Sequence, residues 1–200
     1  MCGRFETKKI EKSVIELFKS HNLNIEVDKD IEDRADEDIR PTQKIMSVLL
    51  KNDIYKITKV NWGIKFKEDS PLIFNSRIET IKEKKYWATL FDKNRCLIPM
   101  SGFYEWRKEG TRKQKYRIYL PDNDLYFVPA LYFTDKEKNI CASLITTVPN
   151  EFIKPIHHRM PIILDFDKAV SYLSNTAQQN LELCIPYDDT KPMEMELADK

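Results

Sequence analysis

Short β-rich runs set apart at hairpin spacing recur along this chain, and they restrict it to folds built mainly on antiparallel sheet. Ile45 to Leu50 and Ile54 to Val60 are separated only by Lys51-Asn52-Asp53, which predicts a hairpin. Tyr116 to Leu120 and Leu125 to Phe133 predict a second one across Pro121-Asp122-Asn123-Asp124. Cys96 to Trp106 reads as a buried strand broken at Pro99 and Gly102, and Ile140 to Thr147 as a further strand. Helical spacing is confined to a few stretches. Residues 8 to 20 place Ile10, Val14, Leu17 and Phe18 on one face, and residues 78 to 91 read as helix. Asp165 and Asp167 open a helix carrying Ala169, Val170, Tyr172 and Leu173, and Ala177 to Leu183 forms a short one. The expectation is an α+β fold, a mainly antiparallel, barrel-like sheet with a few flanking helices. With 200 residues and no repeat or Pro/Gly/Ser-rich linker, the chain reads as a single domain, 1–200, able to bury roughly 70% of its unfolded surface.

Composition narrows the function. No run approaches the roughly 18 apolar residues a membrane span needs, and residues 1 to 20 carry charges throughout where a signal peptide would be apolar. The expected location is the cytoplasm. Cys2, Cys96, Cys141 and Cys184 lie far apart with no C-x-x-C pair, which argues against a zinc site and against a disulfide scaffold. The last three read as reduced core residues. Thirty-three basic and 32 acidic residues leave a net charge of +1, so any nucleic-acid contact must come from a local patch. Two segments stand out. Glu26, Asp28, Asp30, Glu32, Asp33, Asp36, Glu37 and Asp38 make residues 26 to 38 read as a solvated acidic loop. Arg107 to Arg117, with six basic residues and one acid, reads as an exposed hairpin end, either plainly solvated or touching phosphates.

The chemistry-bearing candidates are few. Cys2 directly follows the initiator, so removing Met1 would leave one residue with both a free α-amine and a thiol. These groups titrate at about 7.7 to 8.0 and about 8.5, so each is partly in its reactive form near neutrality. An aldehyde meeting both condenses to an imine and closes to a five-membered thiazolidine. The plain alternative is an incidental small residue after Met1. Asn75-Ser76-Arg77-Ile78-Glu79-Thr80 is explained structurally by Asn75 or Ser76 as a helix N-cap with Glu79 completing a capping box. Glu105, within Gly102-Phe103-Tyr104-Glu105-Trp106, is either a buried carboxyl with a raised pKa or an edge-strand glutamate facing solvent. His157-His158-Arg159-Met160-Pro161 offers imidazole beside guanidinium; in an extended chain the two rings point apart, which argues against a shared metal. His21 sits at a polar helix end.

Taken in order, Met1-Cys2-Gly3-Arg4-Phe5, Arg40-Pro41-Thr42-Gln43, Trp62-Gly63-Ile64, Asn75 to Thr80, Arg95 to Pro99 running on to Gly102-Phe103-Tyr104-Glu105-Trp106, and Ile156 to Pro161 resemble the blocks of the SOS-response-associated peptidase family, over about residues 1 to 165. The resemblance implies a DNA-damage protein that recognises abasic sites in single-stranded DNA and cross-links to them covalently, a lyase-like, self-limiting reaction. By motif, Cys2 is the nucleophile once Met1 is removed, and Asn75 positions the Cys2 terminus or the sugar. Glu105 and His157 serve acid-base steps in imine formation, sugar opening and slow reversal. Gly3 lets the backbone approach DNA, Arg4, Arg77 and Arg159 bind flanking phosphates, and Trp106 packs beside Glu105. Where the family usually has Trp-Gly-Leu continued by proline and tryptophan, this chain has Ile64-Lys65-Phe66-Lys67-Glu68, and Phe66 is the expected base-stacking ring. The resemblance implies no cofactor and no metal, a monomer, and association with the nucleoid when bound to DNA. The acidic segment 26–38 is expected away from the DNA groove, and the tail 187–200 resembles the family only weakly. Two other readings stay open: an N-terminal-nucleophile cysteine hydrolase or peptidase with His157 as base, whose peptide chemistry is the removal of Met1, and a non-catalytic single-stranded-DNA-binding module.

Overall fold

The computed structural model describes residues 2–32 and 35–198. Along the chain run β1 (Arg4–Lys8), α1 (Glu11–Ser20), β2 (Ile25–Val27), β3 (Ala35–Ile39), β4 (Lys44–Lys51), β5 (Ile54–Trp62), β6 (Asn75–Arg77), α2 (Ile78–Glu83), α3 (Lys85–Lys93), β7 (Arg95–Met100), β8 (Gly102–Glu109), β9 (Arg112–Tyr119), β10 (Tyr126–Thr134), β11 (Ile140–Thr147), β12 (Met160–Pro161), α4 (Phe166–Ser174), α5 (Ala177–Leu183) and β13 (Glu194–Leu197). The fold is mixed α and β with mainly antiparallel pairing, as expected.

Eight strands form the larger sheet, ordered β12-β11-β10-β7-β4-β5-β2 with β6 beside β11. A parallel pairing of β11 with β5, Cys141 opposite Asn61 and Ala142 opposite Trp62, joins the two ends of β11-β10-β7-β4-β5 and gives the sheet its barrel character. The second sheet runs β13-β9-β8-β1-β3. Alternation along the barrel strands decides which side each residue serves. On β7, Cys96, Ile98 and Met100 join the cluster that also holds Phe5, Phe103 and Ile118 of the second sheet, whereas Leu97 joins the cluster of Val14, Phe18, Ile81, Phe91 and Tyr172 from the helices. On β10, Val128 and Ala130 face the first cluster, and Phe127 and Leu131 the second. Both faces of β7 and β10 are therefore dry.

Local chemistry explains the main boundaries. The β4–β5 turn uses Asn52 at φ 49° and Asp53 at φ 60°, the paired left-handed residues a tight right-twisted hairpin needs. Asp165 caps α4 by accepting from the Lys168 amide at 3.0 Å, and Thr176 with Gln179 closes a full capping box on α5. Arg95 satisfies two helix ends at once, donating to Phe91 O and Asp92 O of α3 and to Leu173 O and Asn175 O at the end of α4.

Several expectations are corrected. Residues 78 to 91 form two helices, because Lys84 is extended (φ −100°, ψ 116°). Pro99 does not break its strand; it sits opposite Phe127 within β7, and the break falls at Ser101. The predicted Tyr116–Leu120/Leu125–Phe133 hairpin does not form: β9 pairs with β8 and β13, while β10 pairs with β7 and β11. The acidic segment is not simply a loop, since Ile25–Val27 pairs with β5 and Ala35–Ile39 pairs with β1. Asp33 lies outside the described residues, as do the side chains of Asp36 and Glu37. The tail contributes β13, which runs along β9 from Glu194 opposite Tyr119 to Leu197 opposite Tyr116. Among the described residues no helix is long and apolar enough to cross a membrane.

Candidate active site

Cys2 is placed by the strand that follows it. Phe5 buries its ring edge-on against Trp62, with centroids 4.9 Å apart, and β1 pairs Arg4 with Tyr104 and Phe5 with Phe103 of β8. Cys2 is 0% exposed, and its Sγ donates to the Arg4 carbonyl at 3.6 Å. Burial, reinforced by the Glu105 charge, pushes its thiol well above the ordinary value. Met1 lies outside the described residues.

Asn75 reaches Cys2 directly. Its β6 strand lies parallel to β11, Asn75 opposite Leu144, and its Nδ2 donates to the Cys2 carbonyl at 2.8 Å. That bond fixes the amide orientation, because only nitrogen can donate to a carbonyl. Its Oδ1 is then left buried with no hydrogen-bond partner among the described residues. The capping-box reading of this segment is overturned. Ser76 exchanges a 2.8 Å hydrogen bond with Ser143, Glu79 turns to Arg159, and the helix begins after Arg77 with no side-chain cap. Asn75 and Ser76 are committed to the sheet, so neither is left to cap α2.

Glu105 settles the choice between core and edge. β8 runs between β9 and β1, so it is an interior strand, and Glu105 is 3% exposed. Burial lifts its carboxyl to about 7, poised to give or take a proton near neutrality.

His157 follows a tight turn in which Asn150 Oδ1 accepts from the Ile153 amide and Ile153 O accepts from the Ile156 and His157 amides. The turn places Ile153 and Ile156 in the same apolar cluster as Cys2. His157 Nδ1 faces the Arg159 main chain, 3.0 Å from its amide nitrogen and 3.3 Å from its carbonyl oxygen. Burial lowers this imidazole to about 4, with His158 adding to the effect, and the ring is neutral at physiological pH. The two histidines do not point apart: the turn stacks them, with centroids 4.3 Å apart and planes at 27°.

The anticipated DNA contacts divide. Arg77 is exposed at the end of β6, and Arg4 is half-buried, ion-paired with Asp38 and lying over the Trp106 ring at 5.5 Å. Trp106 thus packs on Arg4. Gly3 is half-buried. Arg159 is not a surface cation: at 6% exposure it holds both Glu79 oxygens, at 3.0 and 2.9 Å, and the Thr146 carbonyl at 2.7 Å. Phe66 is no stacking platform for a base either, because it packs edge-on to Tyr86, Trp87 and Phe133 beside the helical cluster. The acidic segment does not stay clear of the cationic surface, since Asp38 sits on Arg4.

Two groups near the corner escape a sequence reading. Tyr126 is fully buried in the Cys2 cluster, its hydroxyl without a hydrogen-bond partner among the described residues. Glu6 is a buried carboxylate held by Arg117 Nε at 2.7 Å and the Tyr104 hydroxyl at 2.7 Å. Tyr126 looks like one more apolar strand residue and carries no distinguishing pattern. Glu6 has none either, because Phe5, Glu6 and Thr7 are buried in succession and the strand shows no alternation that would mark it.

The fold and this corner describe an α+β barrel protein with a buried thiol at residue 2 beside an amide and a titrating carboxyl. The family model "SOS response associated peptidase (SRAP)" matches residues 1–198, and the chain belongs to that family. It is 30% identical over 204 residues to the abasic site processing protein YoaM of Bacillus subtilis, covering 94% of this chain and 87% of that one. It is 25% identical over 177 residues to the abasic site processing protein YedK of Escherichia coli, covering 86% and 79%. Solved structures share the fold. A Bacteroides thetaiotaomicron protein matches with TM-score 0.73 at 24% identity over 98% of this chain and 91% of its own. One from Bordetella bronchiseptica matches with TM-score 0.78 at 14% identity over the full length of both.

Proposed function

We propose that this chain processes abasic sites by capturing them in single-stranded DNA as a thiazolidine on Cys2, after Met1 is removed. The observation that carries the reading is the Asn75 Nδ2 hydrogen bond to the Cys2 carbonyl, in a corner where Glu105 titrates near neutrality. The abasic-site processing named in the relatives agrees with it. The freed Cys2 amine attacks the aldehyde carbon of the ring-opened deoxyribose, giving a carbinolamine. Protonated Glu105 helps its hydroxyl leave as water, forming the imine. The thiol then adds across the C=N bond, carbon–sulfur bond formation being matched by transfer of the S–H proton to nitrogen. Net, one water is lost and no redox partner is needed. His157, neutral, exchanges a proton with the sugar oxygens, and Asn75 holds the Cys2 main chain so that nitrogen and sulfur address the same carbon. Gly3, Arg4 and Arg77 border the strand, and the closed ring shields the lesion from cleavage during the damage response.

A cysteine hydrolase would need the thiol ionised and an imidazole able to accept its proton. Burial pushes the thiol up and the imidazole down, against that pairing.

The test is incubation with a single-stranded oligonucleotide carrying one abasic site, followed by a denaturing gel and intact mass measurement. The expected product is an adduct of protein lacking Met1 plus DNA minus one water, absent with Cys2→Ala. An equal yield of heat-stable adduct from Cys2→Ala, or from protein retaining Met1, would refute the mechanism.

A further inference from the structure

Between β1, β3 and the β8–β9 hairpin lies a groove of about 290 Å³ lined by Arg4, Arg40, Lys113 and Lys115 with Gln114, Trp106 and a single acid, Asp38. Asp38 is shared among three of the cations. Its Oδ2 accepts from Arg4 Nη1 and, at 3.2 Å, from Arg40 Nη2, while Oδ1 lies 3.4 Å from Lys115 Nζ. Aromatic faces support the cations from below, Trp106 under Arg4 and Tyr104 under Lys115 at 4.3 Å. Although partial burial works the other way, Arg4, Lys115 and Arg40 hold the Asp38 carboxyl below its usual range, so it is ionised at neutral pH.

A carboxylate spreads one negative charge over two terminal oxygens, and so does a phosphodiester. Arg40 is exposed and Arg4 and Asp38 are only half-buried, so the two pairs on Oδ2 are weak, screened and exchangeable, whereas Oδ1 is buried against Lys115, itself 11% exposed. Arg4, Trp106 and Lys115 share the face of the sheet opposite Glu105, and since Arg4 lies two residues from Cys2, the groove begins at the Cys2 end of β1 and runs toward the basic hairpin end.

We propose that this groove is a track for the sugar-phosphate backbone flanking the reacting nucleotide, and that Asp38 is its resident counter-ion, exchanged for a phosphodiester when a strand binds. The inference rests on the Cys2 reading for the identity of the strand, but its electrostatics stand apart from the chemistry. Asp38 sets a threshold: a short or weakly held strand does not displace it, whereas a strand that fills the groove does. Cations that would otherwise gather any polyanion are kept occupied.

The experiment measures binding of a lesion-free, single-stranded oligonucleotide by fluorescence anisotropy across a salt series. Asp38→Asn should tighten binding by roughly 3- to 10-fold at physiological salt, whereas Glu137→Gln, the same charge change in the distant β10–β11 turn, should not. Arg40→Gln with Lys113→Gln, both on exposed side chains, should weaken binding and lower the salt slope by about 0.7 for each phosphate that is no longer neutralised. Equal tightening by Asp38→Asn and Glu137→Gln, or no effect of the Arg40/Lys113 pair, would overturn the track. The adduct assay with abasic DNA separates this from the Cys2 reading. Normal adduct with unchanged lesion-free binding in all variants sinks only the groove, and tightened binding without adduct sinks only the chemistry.

Discussion

The guanidinium of Arg159 meets the carboxylate of Glu79 with two parallel hydrogen bonds, joining the turn after His157 to the first turn of α2. Glu79 is drawn below the ordinary carboxylate range by this pairing, against the opposing effect of its own burial. The pair ties the His157 turn to the segment that carries Asn75.

Arg159→Gln should therefore act on stability. Removing the bidentate pair and the hydrogen bond to the Thr146 carbonyl is expected to cost about 2 to 3 kcal/mol in urea denaturation, Glu79 being partly exposed. The exposed Arg77→Gln should stay within about 0.5 kcal/mol and weaken DNA binding instead. A fully stable Arg159→Gln with reduced DNA affinity would show that the arginine serves phosphate.

Glu105→Gln should separate stability from reactivity. The folded-state pKa of Glu105 is raised to about 7, so folding prefers the protonated carboxyl, and stability falls as pH rises from about 4.5 through 7. The neutral amide escapes that penalty. Its melting temperature should match wild type near pH 5 and exceed it at pH 8, by up to about 3 kcal/mol in stability, while adduct formation slows. His157 slopes the other way: lowered to about 4, it removes stability as pH falls from 6.5 through 4. A melting difference independent of pH would mean that Glu105 does not titrate in this range.

Asn75→Ala should slow adduct formation by roughly 10- to 100-fold, because the Cys2 carbonyl is no longer tethered to β6. Lesion-free DNA should bind as before. Were affinity and adduct rate to fall together, Asn75 would be acting on the strand and not on Cys2.

Gly63→Ala tests the joint between β5 and the segment leading to β6. Gly63 sits at φ 125°, and an added Cβ would stand 2.6 Å from Leu72 Cδ1. A destabilisation of about 1 to 3 kcal/mol is expected, from backbone strain together with the clash. Gly63→Ala with Leu72→Ala should recover only the steric share.

The features legible in the sequence are the locally encoded ones. The β4–β5 hairpin is legible because Asn52 and Asp53 tolerate the left-handed region, and the α4 and α5 starts because Asp165 and Thr176 cap them. Pairings between distant segments are not. Nothing near Tyr116 says that its strand partners are Glu105 and Leu197 instead of the next apolar run. Asp38 is one acid among many until β3 is laid against β1. Motif resemblance places Cys2, Asn75 and Glu105 in one site, and geometry brings these three together. It misjudges Arg159 and Phe66, because a basic or aromatic residue beside a site does not reveal which way its side chain turns.

The alternation along β7 and β10 has a last consequence. Even-numbered positions from Cys96 to Met100 and from Val128 to Ala130 shape the wall behind Cys2, while their odd-numbered neighbours Leu97, Phe127 and Leu131 hold the helices one sheet thickness away. Replacement of Leu97, Phe127 or Leu131 will register as altered melting, whereas the same change at Ile98 or Val128 shifts the floor beneath the thiol. Packing defects on the helical side thus reach the reactive corner only through the intervening sheet.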